Sequence, residues 1–143
     1  MKNLVTLILV SILSNFPCDA SAVEIMQSSA LDSFPNPPAD HVIAYGEEAL
    51  QFGELRLPAG PGPHPVMVLI HGGCWLAEYD LSYFRKLAAA FTAEGIATWT
   101  IEYRRVGDPG GGWPGTFDDV ANGTDHLAEL AGQFKLDLNR VLV

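Results

Sequence analysis

The residues best equipped for chemistry stand together at His71-Gly72-Gly73-Cys74-Trp75, directly after the apolar run Val66-Met67-Val68-Leu69-Ile70. That run is β-branched at Val66, Val68 and Ile70, the pattern of a short strand buried on both faces. Neither glycine carries a Cβ, so the backbone can turn sharply and approach a ligand closely. A loop of this kind can turn peptide N–H groups toward an empty space, which suits negative charge developing on oxygen. The same residues also fit a tight strand-to-helix turn that does no chemistry. Cys74 is either a packed thiol or a residue whose backbone matters more than its sulfur.

Other combinations offer less. His71 and Cys74 have the spacing of a metal-ligand pair, but two ligands without a second pair make a poor zinc site, so no metal is expected. Gly110-Gly111-Gly112 lacks the Lys-Ser/Thr that a phosphate loop needs. Asp118 and Asp119 are neighbours on a predicted helix and face different directions, so they read as first-turn charges and not as a paired acid and base. Beyond Trp75 the one serine is Ser82, flanked by Leu81 and Tyr83 on a predicted helix, with no strained turn to expose it. His41 falls in a predicted strand, His64 in a proline-rich loop and His126 in a predicted helix.

Positioning the loop requires a sheet. Two strands are predicted at 41–45 and 50–57, with Gly46-Glu47-Glu48 as a hairpin loop that makes them antiparallel. Residues 58–65 hold four prolines and two glycines and read as a surface connection into the strand at 66–70. A helix is predicted over 81–94, with Leu81, Phe84, Leu87, Ala88 and Phe91 on one face, Asp80 as N-cap and Gly95 just past its end. A strand follows at 96–103, then a glycine- and proline-rich loop at 107–115. A second helix is predicted over 116–134, capped by Thr116, with Phe117, Val120, Ala121, Leu127, Ala128, Ala131 and Phe134 on a common face and Gly123 as a weak point. Residues 140–143 begin another apolar strand. This order indicates an α/β fold with a mostly parallel sheet, flanking helices and an antiparallel N-terminal strand pair, the strand at 66–70 lying inside the sheet. Ligands in such sheets bind outside the carboxyl ends of the strands, where His71–Trp75 is expected.

The 143 residues are of single-domain length, and 48% hydrophobic content with a mean hydropathy of +0.16 excludes a disordered polar chain. The net charge of −9 argues against nucleic acid or an anionic membrane surface as the main partner, and serves solubility. Residues 1–22 read as a signal peptide, with Lys2 as a basic start, Leu4 to Leu13 as the apolar segment and Ala20-Ser21-Ala22 as the cleavage site. Ten apolar-rich residues are too few for a stable membrane span, so the expected destination is periplasmic or secreted. Cys18 raises lipid anchoring, but Asn15-Phe16-Pro17 lacks the small residues that such processing prefers. Cleavage would leave Cys74 as the one cysteine, so no internal disulfide framework is expected. Residues 23–40, with Pro35-Asn36-Pro37-Pro38, read as an extended lead-in.

Taken together, the motifs resemble a known family. His71-Gly72-Gly73-Cys74-Trp75 resembles the His-Gly-Gly-x-Trp oxyanion loop of α/β-hydrolase-fold esterases and lipases, in the branch of small-ester hydrolases and kynurenine formamidase-like enzymes. Glu102-Tyr103-Arg104 is similar to the acidic-Tyr-Arg ending of that family's next strand. Trp113-Pro114 followed by Phe117-Asp118-Asp119-Val120 resembles the start of its next helix, and Asp137 to Val143 the strand leading into its nucleophile elbow. The resemblance covers about residues 50–143. It implies acyl transfer by a serine in a Gly-x-Ser-x-Gly elbow, activated by a histidine that an Asp or Glu orients, with no cofactor. It also implies an oxyanion hole with the backbone N–H groups of Gly73 and Cys74, loop support from His71 and Gly72, and Trp75 as a wall of the substrate pocket.

No Gly-x-Ser-x-Gly occurs in the sequence. In this fold the order is Ser, then Asp or Glu, then His, so all three catalytic residues are expected beyond Val143, and residues 41–143 would be an incomplete α/β-hydrolase domain, inactive alone. Two functions stay open: a serine hydrolase of carboxylic esters or related amides, here truncated, and a non-catalytic binding or vestigial α/β domain. Substrate identity and oligomeric state are open as well.

Overall fold

The computed structural model describes residues 35–143. The predicted signal peptide, Cys18 and the lead-in up to residue 34 lie outside the described residues. Residues 35–40 carry no regular structure, and the Asp40 carboxylate accepts the Leu57 N–H at 2.7 Å.

The strands are β1 (His41–Ala44), β2 (Phe52–Arg56), β3 (His64–Ile70), β4 (Ala97–Ile101) and β5 (Leu136–Leu142). They form one sheet in the order β1-β2-β4-β3-β5. β2 runs antiparallel to both β1 and β4, whereas β4, β3 and β5 are mutually parallel. The expected architecture is therefore present: an α/β fold, mostly parallel, with an antiparallel N-terminal pair. β3 lies inside the sheet with β4 and β5 as neighbours. It begins two residues earlier than the predicted strand, taking in His64 and Pro65, and β5 begins at Leu136 where 140 was expected.

The register fixes two unlike faces. Leu55, Trp99 and Val68 are aligned across β2, β4 and β3, and with Val66, Ala97 and Ile101 they form an apolar core completed by Leu127, Leu130 and Leu136. Glu54, Arg56, Thr98 and Thr100 alternate with these residues, so they share the other face. They are buried there, not solvent-facing as alternation alone predicts. Glu54 is satisfied by Arg85 at 2.7 and 2.9 Å and by Arg56 at 3.2 Å, which makes its burial tolerable. Arg85 begins the helix α1 (Arg85–Ala93), which covers this face.

The predicted helix at 81–94 opens with a 3-10 turn, Leu81–Phe84, before α1. Asp80 caps it as expected, its carboxylate accepting the Ser82 N–H at 2.9 Å. Leu81 and Ala88 carry the burial, while Leu87 is left exposed.

The helix predicted over 116–134 is two helices, α2 (Gly115–Asp125) and α3 (Leu127–Phe134). In a continuous helix the Gly123 carbonyl would accept the Leu127 N–H. Here it accepts the indole N–H of the buried Trp99 at 2.7 Å. Gly123 also has no room for a side chain, since a Cβ there would lie 2.8 Å from Ile101. Its presence reflects close approach to β4. Thr116 is not the cap: Pro114 holds that position, and the Thr116 hydroxyl donates to the Arg104 carbonyl at 2.5 Å. The buried positions of α2 are Thr116, Asp119 and Gly123, and Phe117 is half exposed, so the helix is rotated away from the apolar face read from the sequence.

Candidate active site

His71 leaves the carboxyl end of β3 and turns inward to full burial. The next residues rise into the left-handed region, with φ of 120° at Gly73, 53° at Cys74 and 57° at Trp75. The Leu76 N–H donates to the Gly73 carbonyl at 3.0 Å and closes a four-residue turn over Cys74 and Trp75. Positive φ at both central residues is the pattern normally given to Asn and Gly. A non-glycine residue held there costs on the order of 1–3 kcal/mol, and persists only where its surroundings over-determine it. They do so here. The Trp75 carbonyl accepts the Val106 N–H at 2.7 Å, and the Ala77 N–H donates to the Val106 carbonyl at 3.1 Å.

The glycines have separate reasons. A Cβ on Gly73 would fall 2.4 Å from the Tyr79 Cβ, whereas a Cβ on Gly72 would meet nothing within 4 Å. Gly72, Gly73, Tyr79 and Tyr83 line an open cleft of about 320 Å³. A cavity of about 380 Å³ between Pro35, Pro37 and α1 lies elsewhere and includes no loop residue. Among the described residues, no hydrogen bond takes up the N–H of Gly73 or Cys74. Cys74 is exposed, which excludes the packed-thiol reading. Trp75 is 54% exposed, with its ring 5.6 Å from the Phe117 ring, which meets Trp113 at 5.2 Å.

Beneath the loop lies a carboxylate that sequence reasoning passed over as part of a motif. Glu102 is buried one residue past β4. Its Oε1 lies 3.0 Å from His71 Nε2, accepts the Tyr103 N–H at 3.0 Å and pairs with Arg105 at 3.3 Å, and its Oε2 accepts the Leu81 N–H at 3.0 Å. His71 Nδ1 lies 3.0 Å from the Gly72 carbonyl oxygen. Carboxylate and carbonyl oxygens only accept, so each contact is a bond when the facing ring nitrogen carries the proton. Tyr103 stacks on His71 with ring centres 4.3 Å apart and donates its hydroxyl to the His71 carbonyl at 2.5 Å. Burial, then the nearby Glu102 charge, pushes the Tyr103 phenol above its ordinary value, which keeps it a donor. Arg105 also pairs with Asp108 at 3.0 Å and donates to the carbonyl of Tyr79, the residue packed on Gly73.

Asp119 is not a first-turn surface charge. It is fully buried, and its oxygens accept from Arg104 Nε at 2.8 Å and NH2 at 2.7 Å, the Arg104 N–H at 3.0 Å, and Gln51 Nε2 at 2.6 Å. Burial pushes its carboxyl up, but the bonds from Arg104 and Gln51 outweigh it and hold the group below the usual carboxylate range. Asp118 alone keeps the first-turn role. In the sequence Glu102-Tyr103-Arg104 and Asp119 stand in separate motifs, and their pairing needs the third dimension. Ser82 stays in the 3-10 turn, His41 in β1, and His126 at the α2–α3 junction, 3.5 Å from Glu129. None of these three is among the residues lining the cleft at the loop.

The BD-FAE family model matches residues 55–143, well over half of the chain. The chain belongs to the BD-FAE family. This is an esterase family of the α/β-hydrolase type. A BD-FAE chain of this kind is similar to an uncharacterized 31.7 kDa protein of Escherichia coli from the traX-finO intergenic region, 40% identical over 72 residues, which make up 50% of this chain and 23% of that protein. Among solved structures it is similar to a bifunctional GH43-CE of Bacteroides eggerthii, at 25% identity and a TM-score of 0.60, covering 70% of this chain and 14% of that one. It shares its fold with esterase B of Lactobacillus rhamnosis, at 23% identity and a TM-score of 0.63, covering 80% of this chain and 38% of that one. It likewise shares the fold of esterase 2 of Thermogutta terrifontis, at 18% identity and a TM-score of 0.65, covering 75% and 41%. The chain thus spans about a quarter of the curated relative and less than half of each of these structures.

Proposed function

We propose that this BD-FAE chain is the N-terminal part of a serine hydrolase that cleaves carboxylic esters or related amides through an acyl-enzyme. The loop donates the N–H groups of Gly73 and Cys74 to the oxyanion of the tetrahedral intermediate. The residue after the serine supplies a further N–H. The observation that carries this reading is the pair of uncommitted amides on a strained turn at the carboxyl end of an inner parallel strand. Amides already held in place stabilise developing charge without reorganising during the reaction. Gly72 leaves the approach open, and the exposed Trp75 would wall the acyl or leaving-group pocket.

The serine, the carboxylate and the histidine of the triad lie, on this reading, beyond Val143. It rests on the missing Gly-x-Ser-x-Gly and on the small share of each relative that the chain spans. Residues 1–22 would direct export to the periplasm or beyond. No cofactor takes part in this chemistry.

Sequencing the reading frame past the Val143 codon, then assaying the product with p-nitrophenyl acetate, tests the proposal. A Gly-x-Ser-x-Gly shortly after Val143 and turnover abolished by Ser→Ala at its centre are expected. A stop codon after Val143 overturns the proposal and favours a non-catalytic binding or vestigial domain, as does a product with no esterase or amidase turnover.

A further inference from the structure

We propose that Glu102 is a positioning residue that aims the Gly73 N–H through His71, an inference that rests on the oxyanion-hole reading above. The carbonyl of one residue and the N–H of the next belong to one planar, trans peptide unit and point in opposite directions. With a proton on each ring nitrogen, His71 donates from Nε2 to Glu102 and from Nδ1 to the Gly72 carbonyl, each 3.0 Å away, and so holds that carbonyl in place. The N–H of Gly73, on the far side of that unit, therefore points away from the buried ring and toward the open cleft. The Gly73 carbonyl is held by the Leu76 N–H at 3.0 Å, which sends the Cys74 N–H the opposite way in turn. The His71 ring is the piece that could rotate, and Glu102 stops it.

A buried carboxylate is costly unless every lone pair is used. Glu102 uses its oxygens on donors from three separate stretches of chain: the loop at His71, the helical turn at Leu81, and its own neighbours Tyr103 and Arg105. Arg105 extends the clamp, because its bond to the Tyr79 carbonyl fixes the side chain that backs Gly73. A glutamine has the same size but one acceptor oxygen and one NH2 group. Whichever way it sits, it sets a donor against either Leu81 or the His71–Tyr103 pair.

The test is amide and imidazole NMR on the 15N-labelled complete gene product without substrate. Glu102→Gln is expected to shift and broaden the Gly73 and Cys74 amide signals and to move the His71 ring nitrogens, with the β2–β4 amides in place. Asp119→Asn removes a buried carboxylate of similar standing that does not touch His71, and is expected to leave Gly73 and Cys74 unmoved. His71→Phe keeps the stack on Tyr103 but has no ring N–H. It is expected to reproduce the Gly73 shift, and it decides the matter should Glu102→Gln not fold. Unchanged Gly73 and Cys74 signals in either loop variant, or equal movement in Asp119→Asn, overturn the proposal. Because no turnover is read, an inactive gene product would sink the hydrolase reading and leave this result standing.

Discussion

Gly72→Ala and Gly73→Ala separate chemistry from folding within two adjacent residues. Gly73 sits at a φ of 120° with Tyr79 where a Cβ would go, so Gly73→Ala is expected to cost about 2 kcal/mol or more by urea denaturation. Gly72 has no such constraint, and its Cβ would project into open space beside the cleft. Gly72→Ala is expected to hold or raise stability by up to about 1 kcal/mol, yet to cut the turnover of the complete gene product by about tenfold or more. Equal effects on stability would contradict the assignment of the cleft. Cys74 carries positive φ with an exposed side chain, so little packing opposes relief of its strain. Cys74→Gly is expected to gain about 1 kcal/mol and a few degrees in Tm by calorimetry. An unchanged or lower Tm would show that the turn is not strained there.

At the scale of elements, two buried carboxylates join what the sequence presents as separate pieces. Glu102 ties the end of β4 to the loop after β3, and Asp119 ties α2 to the residue two beyond Glu102. Removing one partner of a buried pair leaves a charge uncompensated, so Asp119→Asn is expected to cost about 3 kcal/mol at pH 7. The sign with pH follows from its lowered folded value. Its contribution is complete above the unfolded value of about 4 and is lost as pH falls through the lower folded one. The gap between wild type and Asp119→Asn in urea melts should therefore narrow progressively as pH falls below about 4. A gap that stays constant with pH would mean that Asp119 is not ionised in the fold.

The same elements show what could be read beforehand. The inner strand, the hairpin and the loop carry strong local signals: a β-branched run, a Gly-Glu-Glu connection and a Gly pair. The α2–α3 break does not, because it depends on an indole from β4 that takes the Gly123 carbonyl. Burial of Glu54, Arg56 and Asp119 was equally hidden, since each is made tolerable by a partner distant in sequence or set by the fold. For the loop, the family resemblance implies Gly73 and Cys74, but the hold on His71 by Glu102 is visible only in three dimensions.

For the molecule as a whole, 17 acidic against 8 basic side chains leave a net charge of −9. Most of that excess is at the surface, where self-repulsion opposes the compact state and salt screens it. Raising NaCl from about 0.02 M to 0.5 M is expected to lift Tm by a few degrees, the buried pairs being nearly indifferent. A fall in Tm would mean that surface attraction outweighs repulsion.

The central claim is that the amides after β3 hold the oxyanion. Its most direct measurement is a crystal structure of the complete gene product trapped with an alkyl phosphonate, a stand-in for the tetrahedral intermediate. The expected result is a phosphonylated serine whose phosphoryl oxygen lies about 2.7–3.1 Å from the nitrogens of both Gly73 and Cys74. A phosphoryl oxygen bound elsewhere, with those two amides facing solvent or the protein interior, would contradict it.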